Sequence, residues 1–250
     1  MYHFFVEPCQ INISDKRVII IGNDVNHIRN VLRMKAGEEL NVGDGESDRE
    51  YRCAILSITE DSVVCELRFV KESRVELPAN VYLFQGLPKA DKMELIIQKA
   101  VELGVYQITP VATKRCVVKL DEKKAASKIA RWQGISEAAA KQSKRGIIPE
   151  VTKVMSFQEA ICAVSDMDVR IIPYELALDM EKTREILGAL QPGMRVAVFI
   201  GPEGGFDESE IACALENHVE PITLGRRILR TETAGFTVLS WIGYLLEGRE

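Results

Sequence analysis

The chain has 250 residues, of which 46% are hydrophobic and 28% are charged, and its formal net charge is −5. This composition is typical of a globular protein with a buried core and excludes a disordered chain, which would contain fewer apolar residues. No apolar run approaches the roughly 18 residues that span a bilayer, and the N-terminus lacks the features of a secretory signal, so we expect a cytoplasmic protein with no membrane partner.

The first 72 residues contain short apolar or alternating stretches that predict β-strands, at 17–21, 39–43, 50–58 and 62–70. Turn residues separate them, and short strands at this spacing are typical of a small β-barrel. One short helix is predicted over 26–34, and residues 71–74 are predicted to be a linker. We therefore expect one domain over residues 1–72 and a second over 73–250.

Strands and helices alternate from residue 79 onward, which favours a largely parallel sheet covered by helices. The strands are predicted at 81–84, 105–111, 169–174, 195–200 and 221–224. Capping boxes at Asp91, Ser156 and Asp207 predict the starts of three helices. A long basic helix is predicted over 121–145, and a final apolar helix over 233–246.

A glycine-rich loop, GPEGGF, follows the most apolar predicted strand. Glycines let a backbone approach a ligand closely, and ligands of open α/β sheets bind beyond the carboxyl ends of the strands. The loop has neither a dinucleotide fingerprint nor a P-loop lysine. Its carboxylate, Glu203, disfavours a triphosphate and suits a nucleoside that carries a sulfonium group; a purely structural turn explains the glycines equally well.

A second loop, LGRRILRTETA, again lies between a predicted strand and a predicted helix. Its arginines, Arg226, Arg227 and Arg230, alternate with Ile228 and Leu229. This mixture could offer an apolar wall to an adenine and guanidinium groups to RNA phosphates. The alternative is an arginine-rich loop that is paired with nearby acids.

Two basic segments indicate nucleic-acid contact despite the acidic net charge. One is a compact ridge at 27–35, and the other is the stretch 113–145, where ten basic and three acidic residues give a net charge of +7. A local positive surface of this size could bind phosphates. The alternative for both segments is a solvated helix face.

No metal site is predicted, because the three histidines are scattered and no two of the six cysteines form a CxxC pair. The cysteines, most of them in apolar surroundings, are expected to be reduced thiols.

These motifs, in this order, resemble those of the RsmE-type methyltransferases, which methylate N3 of a uridine in 16S ribosomal RNA. HIRNVLRMKAGEEL resembles the PUA-like RNA-binding segment of that family, and LPKADKMELIIQKAVELGV resembles the opening of its catalytic domain. FIGPEGGF and LGRRILRTETA resemble its two cofactor loops. The resemblance covers the whole chain, and one departure is Lys141, where the family usually has an acid.

The resemblance implies a SPOUT-type fold, in which an α/β domain contains a trefoil knot and is preceded by a small PUA-like β-barrel. Nothing in the residue pattern would predict a knot, since knots are rare. The resemblance also implies S-adenosyl-L-methionine as cofactor, 16S rRNA of the small ribosomal subunit as partner, and a homodimer through the knot region. The final apolar helix is consistent with that interface and equally with a monomer core.

The candidate site residues form three groups. The cofactor-binding candidates are Tyr174, Glu175, Gly201, Pro202, Glu203, Gly205, Leu224, Gly225, Ile228, Leu229, Thr233 and Ala234. The RNA-binding candidates are His27, Arg29, Arg33, Lys35, Lys141, Gln142 and Arg145. The catalytic candidates are Arg230, whose guanidinium would stabilise the uracil anion, and Glu232, a general base by proximity alone. Proton loss to water or to a partner chain stays open.

Two other functions share these features. A ribose 2′-O-methyltransferase of the same fold class would use the same cofactor loops with different substrate groups. A non-catalytic RNA-binding or ribosome-assembly factor would bind no cofactor. A nucleotide-hydrolysing enzyme is disfavoured, because the glycine loop lacks a phosphate-binding lysine and magnesium ligands.

Overall fold

The computed structural model describes residues 1–248, which divide into two compact units. The first unit comprises Met1–Glu76 together with Ala140–Ile148. The second comprises Leu77–Ala139 and the described chain from Pro149 onward. The expected domain boundary between residues 72 and 73 stays a prediction, and the sequence did not indicate that residues 140–148 pack with the first unit.

A six-stranded sheet forms the first unit. Its strands are β1 (His3–Phe5), β2 (Ile11–Asn12), β3 (Arg17–Ile21), β4 (Glu39–Gly43), β5 (Arg49–Ile58) and β6 (Ser62–Glu72). They pair in the order β1-β4-β5-β6-β3-β2, and only β1 and β4 are parallel. The four predicted strands are confirmed, whereas β1 and β2 are too short to show an alternating pattern.

A short helical segment packs on this sheet. Helix α1 (Asn23–Asn26) continues into a π-helical turn at His27–Val31. It ends earlier than predicted, and Arg33 has a left-handed backbone with φ 54°. The core beneath it includes strand residues and two helical ones, among them Val18, Ile20, Leu40, Val42, Ile55, Val63, Val25 and Ile28.

A parallel sheet forms the second unit, as the sequence predicted. Its strands are β7 (Asn80–Gly86), β8 (Gln107–Ala112), β9 (Glu150–Val151), β10 (Met155–Ser156), β11 (Val169–Pro173), β12 (Arg195–Ile200) and β13 (Glu220–Ile222). The order is β10-β8-β7-β12-β11-β13, with β9 beside β8, and every pairing is parallel. The α/β architecture is therefore confirmed, and the knot stays a prediction.

Within residues 1–248, six helices accompany this sheet. They are α2 (Lys92–Glu102), α3 (Glu122–Ser143), α4 (Phe157–Ala163), α5 (Met180–Gly188), α6 (Glu208–Glu216) and α7 (Thr231–Leu246). Side chains of α4 and α6 share a core with Phe84 and Phe199, whereas α7 approaches Leu83 and Ile200. Among residues 1–248, no helix is both long and apolar enough to cross a bilayer.

Local capping signals explain most of the helix starts. The capping boxes at Ser156 and Asp207 are both formed. The box predicted at Asp91 is wrong, because the Asp91 side chain makes no capping hydrogen bond. Helix α5 was not predicted, although the Asp179 carboxylate caps it by accepting from two backbone N–H groups at 2.9 and 3.0 Å.

Candidate functional site

Three loops at the carboxyl end of the parallel sheet line one cavity of about 520 Å³. They follow β11, β12 and β13, which are neighbours in the sheet, so the loops converge at one edge. Lys92 of α2 and Ala234 of α7 also line the cavity. The volume lies within the roughly 300–1,000 Å³ that is usual for small-molecule sites.

Hydrogen bonds join the glycine-rich loop after β12 to the start of α7. The Thr231 hydroxyl donates to the carbonyl oxygen of Gly201 at 2.6 Å. The buried Gln85 amide donates to that hydroxyl at 2.9 Å and to the carbonyl oxygen of Gly86 at 3.0 Å. The start of α7 is thereby attached to the loop after β12 and to the end of β7.

Three glycines around the cavity occupy positions where another residue would be strained or would clash. Gly205 and Gly225 adopt φ values of +66° and +103°, which favour glycine. Gly86 permits a close approach instead, because a Cβ there would lie 2.7 Å from the backbone nitrogen of Pro202. These three positions shape the backbone that lines the cavity.

A charged cluster lies beside the cavity. The Lys92 ammonium is 3.0 Å from Oε1 of Glu203 and 3.5 Å from Oε2 of Glu232. Burial raises the pKa of Glu203, but hydrogen bonds from its own backbone, Lys92 and Lys89 outweigh burial, so this pKa lies below its ordinary value. The Glu203 carboxylate likewise raises the pKa of Lys92. Both groups of this pair therefore stay charged around neutral pH.

The rest of the lining combines arginines with exposed apolar side chains. Arg226, Arg227 and Arg230 line the cavity and are exposed, and within residues 1–248 none of them forms an ion pair. Ile228 and Leu178 also line it and are each 87% exposed. This loop therefore offers cationic and apolar groups to a ligand, and its arginines are not engaged by nearby acids.

The predicted cofactor residues converge on this cavity. All of them line it except Thr233, which is exposed in the first turn of α7. Of the catalytic candidates, Arg230 lines the cavity, whereas Glu232 does not and contacts the lining residue Lys92. The roles of these residues in cofactor binding and catalysis stay predictions.

Sequence reasoning missed several lining residues, among them Lys92, Leu178, Thr223 and Thr231. Lys92 and Thr231 lie inside motifs that were recognised, but nothing in their spacing distinguishes them from their neighbours. Leu178 follows β11 and Thr223 follows β13, and these two strands become neighbours only in the folded sheet. Only the tertiary structure brings these residues to the cavity.

The predicted RNA-binding residues all belong to the first unit. His27, Arg29, Arg33, Lys35 and Gln142 are exposed. Arg29 also forms an ion pair, with Glu60 at 3.7 Å. The remaining two are less exposed: Lys141 forms an ion pair with Asp24 at 3.1 Å, and Arg145 is buried and paired with Glu76. Of the seven residues, Arg145 is therefore held inside the protein, whereas the other six are exposed or partly exposed.

Much of the positive charge in residues 113–145 is used within the protein. Acids from outside the segment form ion pairs with its basic residues: Asp207 with Lys114 and Arg115, Glu94 with Arg131, Asp24 with Lys141, and Glu76 with Arg145. These four acids reduce the net charge of +7 to +3. The segment is therefore a weaker anion-binding surface than its sequence indicates.

Known proteins resemble both parts of the chain. A family model described as an RNA methyltransferase domain matches residues 75–243, and one described as an RNA methyltransferase PUA domain matches residues 20–68. The chain is 38% identical to ribosomal RNA small subunit methyltransferase E of Bacillus subtilis, over 99% of this chain and 98% of that protein. It is 30% identical to the protein of the same name from Synechocystis sp., over 98% of this chain and 78% of that protein.

The chain also resembles a solved structure along its whole length. That structure is a ribosomal RNA small subunit methyltransferase E from Neisseria gonorrhoeae bound to S-adenosyl methionine. The two chains superpose with a TM-score of 0.83 at 31% identity, and the match covers 98% of each.

Proposed function

Because the chain belongs to the ribosomal RNA small subunit methyltransferase E family, we propose that it transfers a methyl group from S-adenosylmethionine to N3 of a uridine in 16S rRNA. The observation that carries this proposal is the cavity that the loop after β12 and the loop leading into α7 line together. Its substrate would place the protein in the cytoplasm.

The residues around the cavity fit this cofactor. Leu224, Ile228 and Leu229 offer apolar surface to an adenine, and the Glu203 and Glu175 carboxylates can accept from hydroxyl or ammonium groups. Gly86 lies close to Pro202, so there is no room for a side chain at this position at the end of β7. When bound, the cofactor supplies an electrophilic methyl group, which requires no metal ion.

The arginines of the same loop suit the RNA side of the reaction. Arg230 stabilises the negative charge that spreads over the uracil oxygens as N3 loses its proton, and Arg226 and Arg227 hold neighbouring phosphates. The uridine must be unstacked for N3 to be reached. Alignment in a closed site can contribute about 7–11 kcal/mol to lowering the barrier.

The first unit supplies RNA affinity that is independent of sequence. Its exposed ridge, formed by His27, Arg29, Arg33 and Lys35, contacts phosphates, which fix position without reading bases. Lys141 and Gln142 lie in the same unit and extend this surface.

The active form is a homodimer through the region of the expected knot. Three apolar side chains of the second unit, Leu178, Ile228 and Tyr244, are each 87% exposed in the single chain. Large apolar side chains left in water favour burial against another surface. Analytical ultracentrifugation tests this, and a monomer at micromolar concentration would contradict it.

The function is tested with small ribosomal subunits that lack the modification. They are incubated with the protein and isotopically labelled cofactor, and the digested nucleosides are identified by mass spectrometry. We expect labelled 3-methyluridine. Labelled 2′-O-methyl nucleosides would support the ribose methyltransferase instead, and an absence of cofactor binding in calorimetry would support the non-catalytic factor.

A further inference from the structure

Lys92 occupies a position that helix stability does not explain. It is the first residue of α2, where a positive charge opposes the helix dipole. Its ammonium nevertheless lies against two carboxylates, 3.0 Å from Glu203 and 3.5 Å from Glu232. The side chain also lines the cavity.

The two carboxylates belong to the two loops that form the cavity. Glu203 lies in the loop after β12, and its carboxylate also accepts from the backbone N–H of Lys89 at 3.2 Å. Glu232 lies in the first turn of α7, two residues after Arg230. Lys92 therefore connects the glycine-rich loop to the element that begins directly after Arg230.

The carboxylate of Glu232 faces Lys92 through its Oε2 atom, at 3.5 Å. Its Oε2 atom is buried and has no hydrogen-bond partner among residues 1–248. Glu232 is also absent from the residues that line the cavity, whereas its ion-pair partner Lys92 lines it. This placement favours a role that is exerted through Lys92 over direct contact with the uracil.

We propose that Lys92 and Glu232 are positioning residues that hold the start of α7, and with it Arg230, against the glycine-rich loop. The inference rests on the proposed function, because it assigns Arg230 to the reaction. The hydrogen bond from Thr231 to Gly201 attaches the same two segments, so the Lys92 bridge adds a further link between them.

The first test measures the link without any reaction. Hydrogen–deuterium exchange is followed in the ligand-free protein for peptides that cover residues 201–206 and 226–236, in the wild type, Lys92→Met and Lys89→Met. Lys89 is the matched control, because its exposed side chain is removed while its backbone N–H remains. We expect faster exchange in both peptides for Lys92→Met and no change for Lys89→Met. Equal exchange in all three proteins would overturn the proposal.

The second test uses kinetics. Lys92→Met should lower kcat about tenfold or more and weaken cofactor binding by less than about threefold, while Lys92→Arg restores most of kcat. The melting temperature of Lys92→Met should stay within about 3 °C of that of the wild type, because the ion pairs of Lys92 are partly exposed. The double variant Lys92→Met/Glu232→Gln should be no slower than Lys92→Met alone, because the two residues act as one unit.

Two outcomes of the kinetic test would overturn the proposal. One is additive losses in the double variant. The other is a Glu232→Gln variant that loses turnover together with the acidic limb of its pH–rate profile, since this would make Glu232 the general base. If the wild type neither binds the cofactor nor methylates RNA, the proposed function fails, and the exchange experiment still decides whether Lys92 links the loops.

Discussion

At the scale of single residues, Lys141 and Arg145 show how one basic motif divides into two roles. The Lys141 side chain keeps 26% of its surface exposed, whereas that of Arg145 keeps 3%. Glu76 accepts from Arg145 Nε at 2.9 Å and from the backbone N–H groups of Gly146 and Ile147. Sequence reasoning grouped the two residues because their shared neighbours are basic, and the partner of Arg145 lies 69 positions away.

Arg145 should therefore matter for folding. Arg145→Met leaves the Glu76 carboxylate, whose side chain is 14% exposed, without its cation, which should cost about 3 kcal/mol of unfolding free energy. Lys144→Met is the matched control, since Lys144 is the exposed neighbour, and it should change stability by less than about 0.5 kcal/mol. Denaturant titration measures both. Equal stability of the two variants, with weaker RNA binding by Arg145→Met alone, would make Arg145 an RNA contact after all.

Arg230 should matter for turnover. Arg230→Ala removes the guanidinium that we propose stabilises the uracil anion, so kcat should fall about 10²-fold while cofactor affinity changes by less than about threefold. Arg230→Lys keeps the charge but not the planar fork and should be intermediate. Steady-state kinetics and calorimetry separate the two quantities. A parallel loss of both would assign Arg230 to cofactor binding.

At the scale of elements, the sequence predicted what depends on neighbouring residues. The long strands, the capping boxes at Ser156 and Asp207, and the loops that follow β12 and β13 are of this kind. One exception depends on a distant contact: at Asp91 the expected partner Glu94 instead forms an ion pair with Arg131 at 2.8 Å. Helix α5 escaped prediction although its cap, Asp179, is a local signal.

Two glycines offer a paired test of packing between elements. Gly86→Ala would place a Cβ 2.7 Å from Pro202, so it should displace the loop after β12, lower stability by about 1–3 kcal/mol and weaken cofactor binding. Gly134→Ala lies in the exposed middle of α3 with nothing within 4 Å of the new Cβ. It should raise stability by about 0.5–1 kcal/mol. Thermal melts and calorimetry check both, and a neutral Gly86→Ala would show that the loop is not held by this contact.

At the scale of the whole molecule, charge is distributed differently from what the sequence indicates. Counting residues gives +7 for residues 113–145, but four acids from elsewhere in the chain are paired with that segment. The cavity was predictable because glycine loops after parallel strands meet at one sheet edge. The ion pairs between these acids and the basic segment were not predictable, because they depend on which surfaces the fold brings together.

RNA binding should consequently depend on the exposed ridge of the first unit. Affinity for 16S rRNA should fall steeply with salt, and Arg33→Ala and Lys35→Ala should each reduce the slope of log K against log[salt] by about 1. Arg131→Ala is the control, because Arg131 is paired with Glu94, and it should leave the slope unchanged. Filter binding at several salt concentrations measures the slopes, and a flat response in the wild type would remove the basic segments from the binding model.

The contribution of residues 140–148 to the first unit means that this unit is not encoded by one continuous stretch of the gene. A gene fragment that stops at codon 76 encodes the Glu76 carboxylate but none of its three donors, Arg145, Gly146 and Ile147. It also lacks the bridge between Gly45 and Ile147. We expect such a fragment to give a poorly dispersed NMR spectrum, and a well-dispersed one would show that the late segment is dispensable. Transferring the first unit to another enzyme would thus require two separate stretches of the gene.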